Sequence, residues 1–276
     1  MHLWRDVRRL GREVLSQLPL LDGLFRRFIW SRIHFPEAEM RFLNSIQKGS
    51  LGVAVDVGAA IGSYTWILSR LAEQVYAFEP GIAHSRYLSR LVLGTNISVI
   101  PAALGSACGR ATLYTPGGDA DALHSATVSK SNPAMRRNGT WVTEVAQVTL
   151  DSFFAGRLAA DRTVDVMKVD AEGYELEVLR GSFETLSRHH PLIVCEIEAR
   201  HNPAYPEVFD FLRRLGYQCY IIRRGKFEAF LGERLEDIQL DDDLRMRLAG
   251  NYDPDLNEYV NNFLFHHPNS RVRVSE

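Results

Sequence analysis

From Val53 onward, short apolar runs alternate with segments of helical spacing, and this alternation constrains the fold more than any other feature of the chain. VAVDV precedes IGSYTWILSRL, VYAFE precedes HSRYLSRLVLG, and ISVIP follows. Further on, VDVMKVD precedes YELEVLRGSFETL and PLIVCEIE precedes PEVFDFLRRLG. Runs that are apolar throughout suit strands covered on both faces, and the intervening helices provide the cover. The pattern predicts an α/β fold with a mainly parallel sheet. YQCYIIRRGKFEAF predicts a hairpin turning at Arg224-Gly225-Lys226, and NNFLFHH predicts a late strand. The connection from Pro101 to Val164 is too long for one crossover helix. It holds two strand-like runs, RATLYTP and WVTEVAQVTL, around a middle rich in Gly, Ser and Asn, which reads as a lid over the site.

Charge and cysteine content exclude some classes of function. A net charge of −2 argues against a surface built for nucleic acid, which would be basic. The three cysteines, Cys108, Cys195 and Cys219, are scattered and form no CxxC, as expected of a reduced, cytoplasmic protein. No apolar run reaches the roughly 18 residues of a membrane span, and the basic N-terminus lacks the pattern of a signal peptide. Residues 1–34 stand apart. Leu3, Val7, Leu10, Val14 and Leu18 recur at helical spacing among seven arginines and only three acids. The first reading is a helical cap on the main domain; the second is an amphipathic helix making peripheral contact with a membrane surface. The expected division is therefore a cap or extension over 1–48 and a main domain over 49–276, with 102–150 as an insertion.

The turn after the first strand, VDVGAAIGSYT, decides what the main domain binds. A dinucleotide site needs GxGxxG, whose middle glycine lets the backbone approach a pyrophosphate. Here Gly58 and Gly62 are separated by Ala59, Ala60 and Ile61, so the middle glycine is absent. The turn remains tight, and the next helix still offers unpaired N–H groups. Asp56, two residues before Gly58, would repel phosphate and attract an ammonium. Glu79 ends the second strand about 20 residues on, where a carboxylate accepts both hydroxyls of a ribose. A ribose diol, an ammonium and no phosphate describe S-adenosylmethionine.

In order, VDVGAAIGSYT, VYAFEP, PAALG, VTLDSFF, VDVMKVDAEGYELEVLRG and PLIVCEIE resemble the FkbM-type family of class I S-adenosylmethionine-dependent methyltransferases. The resemblance covers about residues 50–200. KVDAEGYELEVLRG is its most specific element, and Ala60 departs from the Asn usual in DVGANIG. It implies a Rossmann-like, mostly parallel seven-stranded sheet with one antiparallel strand and helices on both faces. It also implies mostly O-methylation of sugars, glycolipids or polyketides. Carried over, Asp56, Gly58 and Gly62 line the methionine end, Glu79 holds the ribose, and Ala102 and Ala103 border the adenine.

Methyl transfer to a hydroxyl needs an in-line arrangement and a group to take the proton. Asp170 and Glu172 follow the fourth main strand, and Glu196 and Glu198 end the fifth. If the strand continues past Lys168, then 168, 170 and 172 share one face. Asp170 and Glu172 are the first candidates for base or acceptor-orienting group, Glu196 the second and His124 in the insertion the third. The plainer alternatives are that Glu172 caps the next helix, that Glu196 is a satisfied buried acid, and that His124 and His201 are surface histidines. Asp170, Glu172 and Glu196 could form an oxygen site for Mg²⁺, but no metal is expected to be required, and nothing has zinc spacing. The sequence thus reads as an S-adenosylmethionine-dependent methyltransferase acting on a small-molecule or glycan acceptor, with no nucleic-acid partner. The alternatives are a non-catalytic cofactor-binding protein of the same fold and, behind it, an NAD-linked oxidoreductase.

Overall fold

The computed structural model describes residues 37–116, 126–130, 132, 139–232, 234–239 and 260–274. Within it, β1 (Leu51–Val57), β2 (Ala72–Phe78), β3 (Ile97–Ile100), β7 (Val164–Val169) and β8 (Leu192–Glu196) are the apolar runs of the sequence, and they pair in parallel. Every residue of β1 and β7 is buried, as a strand covered on both faces must be. The chain goes on to β9 (Gln218–Arg223), β10 (Lys226–Ala229) and β11 (Asn262–His266). The strand order runs β10-β9-β11-β8-β7-β1-β2-β3. Residues 262–266 form the expected late strand, inserted between β8 and β9 and antiparallel to both. The order is that of a Rossmann-like, mainly parallel sheet with helices on both faces.

One strand exceeds the seven implied by the resemblance. The predicted hairpin forms, and its second arm, β10, adds an eighth strand at the edge, antiparallel to β9. Its turn is Arg224-Gly225, with φ of 50° and 74°, while Lys226 already pairs with Arg223. Two successive positive φ values make the two-residue turn whose twist matches the strands.

Helices cover both faces. On one lie α1 (Ala38–Ser45), α2 (Ser63–Leu71) and α3 (Ile82–Leu91), which bury Leu43, Ile67, Leu68 and Leu88 against Ala54, Val75 and Val166. On the other, α4 (Leu150–Phe154), α5 (Glu175–Arg180), α6 (Phe183–His189) and α7 (Tyr205–Arg214) bury Phe154, Leu179, Leu186 and Leu212 against Val55, Met167 and Ile193. Each such side chain contributes about 1.5–3 kcal/mol on removal from water.

The long insertion builds a second sheet. β4 (Ala103–Leu104), β5 (Gly109–Thr115) and β6 (Trp141–Val148) pair in the order β4-β6-β5, so both strand-like runs are strands. Among the described residues no helix is long and apolar enough to cross a membrane. The cap reading of residues 1–34 and His124 lie outside the described residues.

Candidate active site

Between β1 and β7 the chain order reverses, and in open α/β sheets a ligand sits in the crevice beyond the strand ends at such a point. The cleft there is lined by Asp56, Gly58, Glu79, Ala102, Ala103, Asp170, Glu172 and Glu196. Eight sequence candidates therefore meet in one place. Gly62 is not among the lining residues; it begins α2 at φ 93°, and a Cβ there would meet Leu88 Cδ1 at 2.6 Å. Its placement is that of a packing residue.

The glycine turn is held by its neighbours. Gly58 has φ 76°, and a Cβ on it would fall 1.9 Å from the Asp170 carbonyl oxygen. Only glycine lets the loops after β1 and β7 come this close. Ala60 occupies the position of the missing middle glycine at φ 46°. Left-handed backbone costs an alanine about 1–2 kcal/mol, whereas Asn tolerates it. Ala60→Asn should therefore raise stability by up to ~1 kcal/mol, read as a higher Tm; a lower Tm would contradict this account of the turn.

Glu79 closes the turn from the side. Its Oε2 accepts the Ala60 N–H at 2.8 Å and its Oε1 accepts the Gly81 N–H at 2.7 Å, with His84 Nδ1 4.0 Å from Oε1. Burial raises its pKa, against the two backbone N–H bonds, which lower it.

Lys168 sits beneath the cleft. β1 and β7 carry three buried charges, Asp56, Asp165 and Lys168, and of these Asp56 and Lys168 are register partners. Asp56 accepts the Thr65 hydroxyl, and burial raises its carboxyl from 3.8 to about 6 despite that bond and the nearby lysine. Lys168 Nζ donates to Asn262 Oδ1 at 3.0 Å, lies 3.7 Å from Glu196 Oε2, and stands 4.7 Å over the Tyr64 ring. Burial opposes its charge, yet Asp170, Glu196 and Glu37 together hold its pKa above the ordinary lysine value. Asn262 Nδ2 donates to Glu37 Oε2, which also takes the Tyr64 hydroxyl. Sequence reasoning did not find Glu37, Tyr64 or Asn262, because they come from three separate elements; the polar pair opening NNFLFHH was the one available signal.

The carboxylates differ in environment. Burial pushes Asp170 well above the usual range, with Glu196 adding to the effect and Lys168 opposing it. Burial likewise raises Glu196 to about 7, with Lys168 opposing; its Oε1 accepts from Asn261 Nδ2 at 2.7 Å. Glu172 does not share a strand face with 168 and 170, because β7 ends at Val169 and the chain turns through Glu172 at φ 51° and Gly173 at φ 94°. Nor does it cap a helix: α5 begins at Glu175 behind Tyr174, and the Glu172 carboxylate instead lies 2.6 Å from His201 Nδ1. His201 is thus not a plain surface histidine, its side chain being only 16% exposed. Among the described residues no group of three His, Cys, Asp or Glu side chains is arranged to hold a metal ion.

Excess buried acid has a cost in stability. Glu39 on α1, beside this cluster, is raised by burial from 4.5 to about 7. The folded chain then holds a proton there that the unfolded chain has already lost, so stability falls as pH rises from about 4.5 to 7. Glu39→Gln should match the wild type near pH 4 and exceed it by up to ~3 kcal/mol above pH 7. Melting both proteins across that range checks it; parallel curves would contradict the assignment.

The family model for the methyltransferase FkbM domain matches residues 56–219. The chain belongs to the FkbM methyltransferase family. The match spans the glycine turn, Glu79, the carboxylates after β7 and Glu196 at the end of β8, so the cleft of this FkbM-family chain lies within its family domain, apart from Glu37 and Met40. Similar solved structures include methyltransferase FkbM from Methylobacillus flagellatus KT, 15% identical over 95% of this chain and 60% of that one, TM-score 0.47. SMU.1697c, a putative methyltransferase from Streptococcus mutans in complex with SAH, is 11% identical over 85% of this chain and 98% of that one, TM-score 0.43. Aeropyrum pernix fibrillarin with natively bound S-adenosyl-L-methionine is 13% identical over 88% of this chain and 73% of that one, TM-score 0.41. The chain thus spans 60% of the length of the Methylobacillus protein. No curated protein sequence matches it.

Proposed function

We propose that the cleft binds S-adenosylmethionine and that the protein methylates a hydroxyl of a sugar, glycolipid or polyketide-type small molecule. The observation that carries the cofactor is Glu79. A carboxylate offers about four lone-pair sites; the Ala60 and Gly81 N–H groups take two. Two remain, the number a ribose diol needs. Ala60, with its Cβ where a pyrophosphate site requires glycine, disfavours NAD. Asp56 and Gly58 suit the methionine end, and Ala102 and Ala103 offer an apolar border for the adenine. Bound there, S-adenosylmethionine would supply an electrophilic methyl group on a sulfonium.

This chain's own part is to bind, orient and take a proton. Glu172, paired with His201, is the first choice to accept the acceptor's hydroxyl proton. Asp170, whose carboxyl burial pushes up, stands beside it in the cleft, and Glu196, at about 7, is poised near neutrality. The intact set of carboxylates favours an enzyme over a non-catalytic binder. Incubation with labelled S-adenosylmethionine and sugar or glycolipid fractions, read by intact mass, tests the reading. An acceptor heavier by one methylene supports it, and unchanged fractions oppose it.

A cytoplasmic location completes the proposal, with residues 1–34 read first as a cap on the main domain and second as a contact with a membrane surface. Removing 1–34 should leave cofactor affinity unchanged, since every cofactor contact proposed lies beyond Val53; if the segment is a surface anchor, its removal also reduces pelleting with anionic liposomes. Equal pelleting of both proteins would remove the membrane contact.

A further inference from the structure

His201 is not among the residues that line the cleft, yet its side chain is held by two carboxylates. Its Nδ1 lies 2.6 Å from Glu172 Oε2 and 3.2 Å from Glu198 Oε2. An ionised carboxylate only accepts, so a hydrogen bond across either contact requires the hydrogen on Nδ1. Glu198 Oε2 also receives Arg200 Nε, so the shorter contact, to Glu172, is the one that His201 alone supplies among the described residues.

Glu172 is restrained at its other end as well. Its carbonyl accepts Thr127 Oγ1 and Asn132 Nδ2, each at 2.7 Å, both from buried side chains of the long insertion. Its backbone is left-handed, and a Cβ on the following Gly173 would come within 2.5 Å of the His201 carbonyl oxygen. A non-glycine residue stays in that conformation only where its surroundings over-determine it, and such residues cluster at functional sites. Here the surroundings are the insertion on one side and His201 on the other.

We propose that His201 is the positioning residue for Glu172: its Nδ1–H holds the carboxylate at the cleft while Thr127 and Asn132 hold the carbonyl, so that seating of the insertion and placement of the proton acceptor are one event. The proposal rests on the methyl-transfer reading of the cleft. Displacing a reacting group by about 1 Å costs on the order of 10²-fold in rate, so loss of the histidine should act on kcat while leaving S-adenosylmethionine affinity unchanged.

The test compares His201→Ala, His201→Asn and His201→Gln in the full chain. Asn places an N–H donor near the position of Nδ1, whereas Gln places one near Nε2 and fills more of the space. Amide hydrogen exchange of residues 126–132 and 170–174 should quicken in the Ala and Gln variants and return to the wild-type rate in Asn. Labelled-methyl transfer into the sugar or glycolipid fraction should fall about 10²-fold in kcat for Ala and Gln and recover in Asn. Unchanged exchange in the Ala variant, or equal rescue by Gln, overturns the proposal. If the wild type fails to bind S-adenosylmethionine by calorimetry, the methyl-transfer reading fails instead, and exchange still reports whether His201 holds Glu172.

Discussion

Glu79→Ala should weaken S-adenosylmethionine binding by about 10²–10⁴-fold. Two hydrogen bonds from a ribose diol to a carboxylate are charge-assisted, worth about 1.5–3 kcal/mol each, and each 1.4 kcal/mol is tenfold. The same substitution leaves the Ala60 and Gly81 N–H groups without their acceptor, so it should also lower Tm. Glu79→Gln separates the two effects, because its amide oxygen keeps one acceptor while the charge is gone. Calorimetry should place Gln between the wild type and Ala in affinity. Wild-type affinity in the Ala variant would remove Glu79 from the ribose site.

Glu172→Gln should lower turnover by about 10²–10⁴-fold, the contribution of a positioned proton acceptor. Gln keeps the shape of the side chain and can still accept from His201 Nδ1, so the turn through Gly173 should persist and Tm should change little. Cofactor affinity should hold, because the proposed ribose and methionine contacts lie after β1 and β2. Turnover, affinity and Tm measured on one preparation distinguish the roles. Full turnover with a lowered Tm would show Glu172 to be structural and move the proton acceptor to Asp170.

The parts of this site carried by contiguous sequence were readable. VDVGAAIG contains its own turn, and Glu79 could be placed because the end of an apolar run marks the end of a strand. Both sit where that reasoning put them. Contacts set by register were hidden. Asp56 and Lys168 face each other because β1 and β7 are neighbours in a particular register, and neither strand carries that information alone. Glu37 and Asn262 come from the two ends of the described chain and meet only when α1 and β11 are docked. Period-two reasoning past Val169 failed for a local reason: Glu172 and Gly173 adopt positive φ, and a chain that turns does not keep strand faces. His201 was undervalued because its partner lies in another loop, and only the close approach of Gly173 to its carbonyl brings the two together. The eighth strand was within reach, since the Arg224-Gly225 turn returns the chain along β9.

If the glycine turn and Glu79 form a site for S-adenosylmethionine and not for a dinucleotide, titration calorimetry of the full chain should give one-to-one binding of S-adenosylmethionine and S-adenosylhomocysteine and no heat from NAD. NAD binding with no response to S-adenosylmethionine would assign the turn to a dinucleotide instead.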